Sequence, residues 1–199
     1  MHGVSQDQVT WVTTAPERME ALDMPAGVDV RQDTTGRSPA ELLQAGEIDA
    51  IMSPRGGPPR GEGAQSDADL AMSAYADPVA AQREYYEQTG IFPIMHMVVM
   101  KEDLANSDQA LVAGLCEAFQ QAKDAGRAEA IEDPRERPIA GAQPEDVRKV
   151  MGEDPWRYGI GPNRHVLEKF LEDARDQGLI QRPMAVEELF PASLPDGFR

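Results

Sequence analysis

Apolar residues fall into short runs in the first half of this chain and at helical spacing in the second. Gln8 to Thr13 (QVTWVT) is β-branched and aromatic, and reads as a strand; Val28 to Arg31, after Pro25 and Gly27, reads as another. Ser38 is placed to cap a helix, with proline at the first helical position and Glu41 completing a capping box. Leu42 and Leu43 give that helix its apolar side, and Gly46 ends it. Ile48 to Met52 (IDAIM) reads as a short buried strand. Strand, strand, helix, strand at this spacing predicts an α/β layer with largely parallel pairing.

The glycine- and proline-rich stretch 53–66 breaks this pattern and reads as a loop. A helix follows over Pro78 to Gln88, closed by Gly90 as a left-handed cap. Ile91 to Lys101 (IFPIMHMVVMK) is the most apolar segment and predicts a buried strand, with Pro93 pushing its start beyond that residue or to a sheet edge. A long helix is expected from an Asn106 cap through Leu111, Val112, Leu115, Phe119 and Ala122. Asp124 to Ala142 reads as a polar, proline-interrupted connection with room for one helical piece, Glu145 to Met151 as a helix, and Val186 to Phe190 as a last turn. Asn163 to Gln177 is a further helix, with Val166, Leu167, Phe170, Leu171 and Ala174 on one face. This much helix calls for more sheet than the strands supply, so an opening portion upstream of Met1 is expected.

Charge narrows the partners. There are 35 acidic and 19 basic residues, a net −16, and only four of the basic ones are lysines. No basic run exists to neutralise a phosphate backbone, which excludes a nucleic-acid partner. An anionic ligand would need a locally positive pocket against this global field. No apolar run is long enough to insert into a membrane, and Met1 to Thr10 lacks the pattern of a signal peptide. With one cysteine, Cys116, set among Leu111, Val112, Leu115 and Phe119, a core role is expected and neither a disulfide nor a multi-cysteine metal site can form. His2, His96 and His165 show no metal-ligand spacing, so no metal is expected.

Several blocks carry a family resemblance. DQVTWVT (Asp7 to Thr13), GEIDAIMSPR (Gly46 to Arg55), EYYEQTGIFPIMH (Glu84 to His96), the run from Met151 to Ile180 with Trp156, Tyr158, Gly159 and Asn163, and EELF (Glu187 to Phe190) together resemble the 4,5-dihydroxyphthalate decarboxylase family. TGIFPIMH is the most specific of them. The resemblance implies an α/β fold of the type II periplasmic-binding-protein-like kind, seen here as a second lobe plus the returning part of an incomplete first lobe. Residues 1–90 would be the second lobe, and 91–199 a hinge strand and helices returning to the first.

The resemblance also implies a small anionic aromatic or carboxylate ligand. Arg55, with Ser53 at the end of the IDAIM strand, would grip a carboxylate through its planar fork. Thr89 and Gly90 would offer a hydroxyl and backbone amides to an anion, and Phe92 would stack on an aromatic ring. Without the family placement Arg55 is simply a surface arginine, Thr89 and Gly90 a helix stop, and Phe92 a core residue. His96 is the expected proton donor, the bland alternative being a core histidine. The implied reaction is decarboxylation of a hydroxylated aromatic dicarboxylate in the cytoplasm. The alternatives are a solute-binding protein, periplasmic or extracellular and working with a transporter permease, or an inactive truncated member.

Overall fold

The computed structural model describes residues 3–16, 24–52, 74–133, 136–139 and 141–199. It is a mixed α/β structure with a small parallel sheet and several helices. The chain divides into two compact units, Met1–Ala76 with Gln177–Leu179, and Asp77–Asp176 with Ile180–Arg199.

In the first unit, strands β1 (Thr10–Thr13) and β2 (Asp29–Gln32) pair in parallel, with Trp11 opposite Val30 and Val12 opposite Arg31. The Asp33 N–H donates to the Thr13 carbonyl at 2.8 Å and extends the ladder by one bond. Helix α1 (Pro39–Gln44) starts as the sequence predicts: the Ser38 hydroxyl accepts from the Glu41 N–H at 3.3 Å, while the Glu41 carboxylate accepts from the Ser38 N–H at 2.7 Å. Leu42 and Ala40 are its buried residues. Ile48 to Met52 forms no strand. A strand exists only through a partner's backbone, and among the described residues none is aligned with this segment.

The second unit is helical: α2 (Pro78–Thr89), α3 (Glu102–Ser107), α4 (Gln109–Glu132), α5 (Pro144–Met151) and α6 (Ile160–Asp176). Asp108, not Asn106, caps α4; its carboxylate accepts from the Leu111 N–H at 2.9 Å, and Asn106 lies inside α3. Nor does α4 give way to a loop at Asp124. AKDAGRAEAIE is built mostly of strong helix formers and carries the helix to Glu132 without an apolar stripe. Arg137 closes that end, donating to the carbonyls of Ile131, Ala142 and Glu132, each at 2.7 Å.

Two apolar clusters hold this unit together. Ile139, Ala142, Val147 and Met151 form one, with Val79, Tyr86, Phe92 and Val150 packed against it. Ile160, Leu167, Leu171 and Val186 form the other, flanked by Ile180, Met184, Phe190 and Leu194. Phe170, expected on the packed face of α6, is instead exposed.

Ile91 to Lys101 is not a buried strand either. From Ile94 to Val99 it is exposed, with Val99 at 89 %. Apolar residues at successive positions suit a strand covered on both faces, and the described residues place no strand beside it.

The 3-10 turn Val186–Leu189 is held by a fork. Arg182 donates to both oxygens of Glu188, at 3.1 and 2.6 Å, and the Ala185 N–H donates to the first at 2.8 Å. The Arg182 bond, then the Ala185 amide, pulls the Glu188 carboxyl from its usual 4.5 to about 2. A carboxylate held down in the folded state stabilises it above the unfolded pKa, and that contribution disappears as pH falls from about 4.5 to about 2. Glu188→Gln is therefore expected to melt below wild type at pH 6, with the gap closing as the pH approaches 2. A gap unchanged by acid would overturn this.

Candidate functional site

Of the sequence-predicted site residues, Thr89, Gly90 and Phe92 come together at the end of α2. Tyr86 packs into the first cluster from the same helix, while Tyr85 faces solvent. Gly90 takes the left-handed conformation (φ 65°, ψ 8°) and its N–H donates to the Tyr86 carbonyl at 2.7 Å, so the chain leaves the helix sharply. The Thr89 hydroxyl donates to the Tyr85 carbonyl at 2.7 Å and accepts from the Ile91 N–H at 3.1 Å. Hence the Thr89 hydroxyl, the Gly90 amide and the Ile91 amide are all engaged in the cap. What the turn offers a ligand is its shape and its Phe92 wall, since these donors already have acceptors. Phe92 is half-buried against the Ile139–Met151 cluster.

A residue from the predicted helix Asn163 to Gln177, exposed in the structure, completes this turn. His165, on α6, places Nε2 2.7 Å from the Gly90 carbonyl oxygen. A carbonyl only accepts, so Nε2 carries the hydrogen. The ring also fills the space where a side chain at position 90 would go; a Cβ there would stand 3.2 Å from Nε2. Glycine is thus required at 90 by torsion and by space. The two residues are 75 positions apart, and no local pattern in the sequence links them.

His96 lies six residues further on, in the exposed extended segment. Ser53 and Arg55 fall outside the described residues, as does His2. In the first unit, Ile48, in the segment that leads toward them, lines an open cavity of about 220 Å³ with Val12, Arg31, Asp33, Leu42 and Glu47. This cavity lies at the C-terminal ends of β1 and β2, where open α/β sheets receive ligands. Arg37 forks onto Glu47 beside it, with both contacts at 2.7 Å. Those bonds hold the guanidinium above its ordinary range and the carboxyl below its own.

The Trp156–Gly159 block is tied down from several sides. Lys123 on α4, with a side chain only 8 % exposed, donates to Asp154 at 2.6 Å and to the Trp156 carbonyl at 3.3 Å, and sits 4.7 Å from the centroid of the Tyr158 ring. The Asn163 amide donates to the carbonyls of Arg157 and Gly159, at 2.7 and 2.8 Å. Gly159 (φ 100°) lies against the backbone of Phe198, which a Cβ would meet at 3.1 Å. These bonds make the block a structural brace for the start of α6, and so for the helix that presents His165. Cys116 is half-buried, and burial raises its thiol above the usual range. Another open cavity, about 330 Å³, lies between α6 and Pro183–Glu187; Arg164 and Arg175 on its rim are paired with Glu187 and Asp176.

Among the described residues no buried side-chain polar atom lacks a partner, no cluster of three or more His, Cys, Asp or Glu is placed to hold a metal, and no helix is long and apolar enough to cross a membrane.

No family model matches the chain. It is, however, 32 % identical over 97 % of its length to a 4,5-dihydroxyphthalate decarboxylase from Comamonas testosteroni. The match spans 60 % of that protein's length. The similarity to that protein therefore extends across nearly the whole chain, and the chain spans about three fifths of its length.

Proposed function

We propose, from the premise that this chain is a relative of 4,5-dihydroxyphthalate decarboxylase, that it serves the decarboxylation of a hydroxylated aromatic dicarboxylate. The observation that carries the reading is the identity of 32 % over 97 % of the chain. The finer fold goes with it: a type II periplasmic-binding-protein-like architecture in which residues 1–90 belong to the second lobe and 91–199 to an incomplete first lobe.

The chemistry asks little of the protein. A ring hydroxyl para to the departing carboxylate pushes electrons onto the carbon that bears it. A general acid protonates that carbon, the carbon–carbon bond breaks, and its electron pair returns to the ring as carbon dioxide leaves. Arg55 is proposed to hold a carboxylate by paired hydrogen bonds, with Ser53 beside it, and His96 to supply the proton. Thr89 and Gly90 contribute the turn and Phe92 an apolar wall, since the Thr89 and Gly90 donors serve the helix cap. The ring accepts the charge itself, so the scheme invokes no cofactor.

The test is carbon dioxide release from 4,5-dihydroxyphthalate by the full chain, with 3,4-dihydroxybenzoate as co-product. His96→Gln is expected to reduce turnover by about a hundredfold or more while leaving affinity near wild type. Binding without carbon dioxide release would replace this reading with that of a solute-binding protein. Unchanged turnover in His96→Gln would remove His96 from the mechanism.

A further inference from the structure

The turn that leaves α2 carries three of the proposed ligand residues; the cap bonds and the packing of Tyr86 and Phe92 on the first cluster hold it from one side. A second hold, on the Gly90 carbonyl, comes from α6. Nε2 of His165 donates to the Gly90 carbonyl at 2.7 Å, and the ring occupies the space left by the missing side chain. Nε2 to the Gly90 carbonyl is the one hydrogen bond found for this ring among the described residues. Helix α6 is itself firmly seated, through Leu167 and Leu171 in the second cluster and through Asn163 on the carbonyls of Arg157 and Gly159.

We infer that His165 is a positioning residue: it holds the Thr89–Phe92 turn in the shape that receives the ligand. The role is that of a fixed donor and spacer, acting through Gly90 and not through contact with the reacting atoms. The part of this inference that concerns ligand rests on the decarboxylase reading above; the part that concerns the turn stands on the geometry alone.

The full chain and its His165→Leu and His165→Gln variants separate the two. Leucine keeps α6 helical but cannot donate; a glutamine amide reaches about where Nε2 sits and can. Hydrogen exchange at the Gly90 and Ile91 amides is expected to accelerate about tenfold in His165→Leu and to return to within about threefold of wild type in His165→Gln. Affinity for 4,5-dihydroxyphthalate, measured by calorimetry, is expected to follow the same pattern, about tenfold weaker and then restored. Unchanged exchange in His165→Leu, or a glutamine no better than leucine, overturns the inference. Exchange that responds while all three proteins bind the probe equally well also overturns it, since the turn would then lie outside the ligand site. If wild type does not bind the probe, the decarboxylase reading fails, and the exchange pattern alone decides whether His165 holds the turn.

Discussion

Arg137→Ala is expected to lower the unfolding free energy of the helical unit by about 2–4 kcal/mol, because one side chain satisfies three carbonyls at once. Helix α4 ends at Glu132 with its last carbonyls turned outward, as every helix end must leave them. Arg137 reaches back to two of them, Ile131 and Glu132, and forward to Ala142, all at 2.7 Å. Ile131 and Ala142 are themselves buried, so these carbonyls have little water to turn to when the guanidinium goes. The fork geometry matters as much as the charge. A lysine at this position carries its three N–H donors on a single nitrogen and cannot span three carbonyls set around a planar fork, so Arg137→Lys is expected to recover less than half of the loss. Chemical denaturation of the three proteins measures both effects. A lysine variant as stable as wild type would show that charge alone does the work.

Leu167→Ala is the second large effect, about 2–5 kcal/mol, the range for emptying a leucine site in a packed core. Leu167 is 3 % exposed, and it meets Ile160, Leu171 and Val186 in a cluster that also gathers the C-terminal segment through Phe190 and Leu194. The control lies three residues along the same helix. Phe170 is 59 % exposed, so Phe170→Ala is expected to change stability by no more than about 0.5 kcal/mol, although it removes a larger side chain. Equal losses at the two positions would mean that Phe170 is covered in solution and that the α6 surface described here is incomplete.

That contrast shows how far the sequence could be read. Elements with local punctuation were legible: Ser38-Pro39-Glu41 announces α1, and Gly90 ends α2. Each signal is a short-range bond or torsion fixed by neighbours in sequence. Helix α4 beyond Ala122 escaped detection because it is solvated on most sides, so propensity rather than periodicity sustains it. Ile48–Met52 and Ile91–Lys101 have the composition of strands, but a strand is a relation between two segments, and apolar content specifies only one of them. Phe170 follows the same logic: spacing put it beside Leu167 and Leu171, yet only packing decides where the apolar arc of a helix ends.

The candidate site divides in the same way. Thr89, Gly90 and Phe92 lie within four positions around a helix stop, and the structure keeps them together at the end of α2. His165 was not among the expected site residues, since 75 residues separate it from the carbonyl it meets. The donor roles expected of Thr89 and Gly90 ran into a constraint that the sequence cannot display, namely that their hydrogens close the end of α2.

The open run after Phe92 has a chemical consequence. Met95 and Met97 flank His96 with 64 % and 51 % of their surfaces in solvent, within easy reach of peroxide. Converting either thioether to a sulfoxide places a strong, chiral dipole in a stretch otherwise made of hydrocarbon. Only Met52, at 85 %, stands more open among the methionines of the described residues, so oxidised preparations would carry lesions on both sides of His96, and a peroxide-treated sample is expected to show both sulfoxides by mass spectrometry before it unfolds.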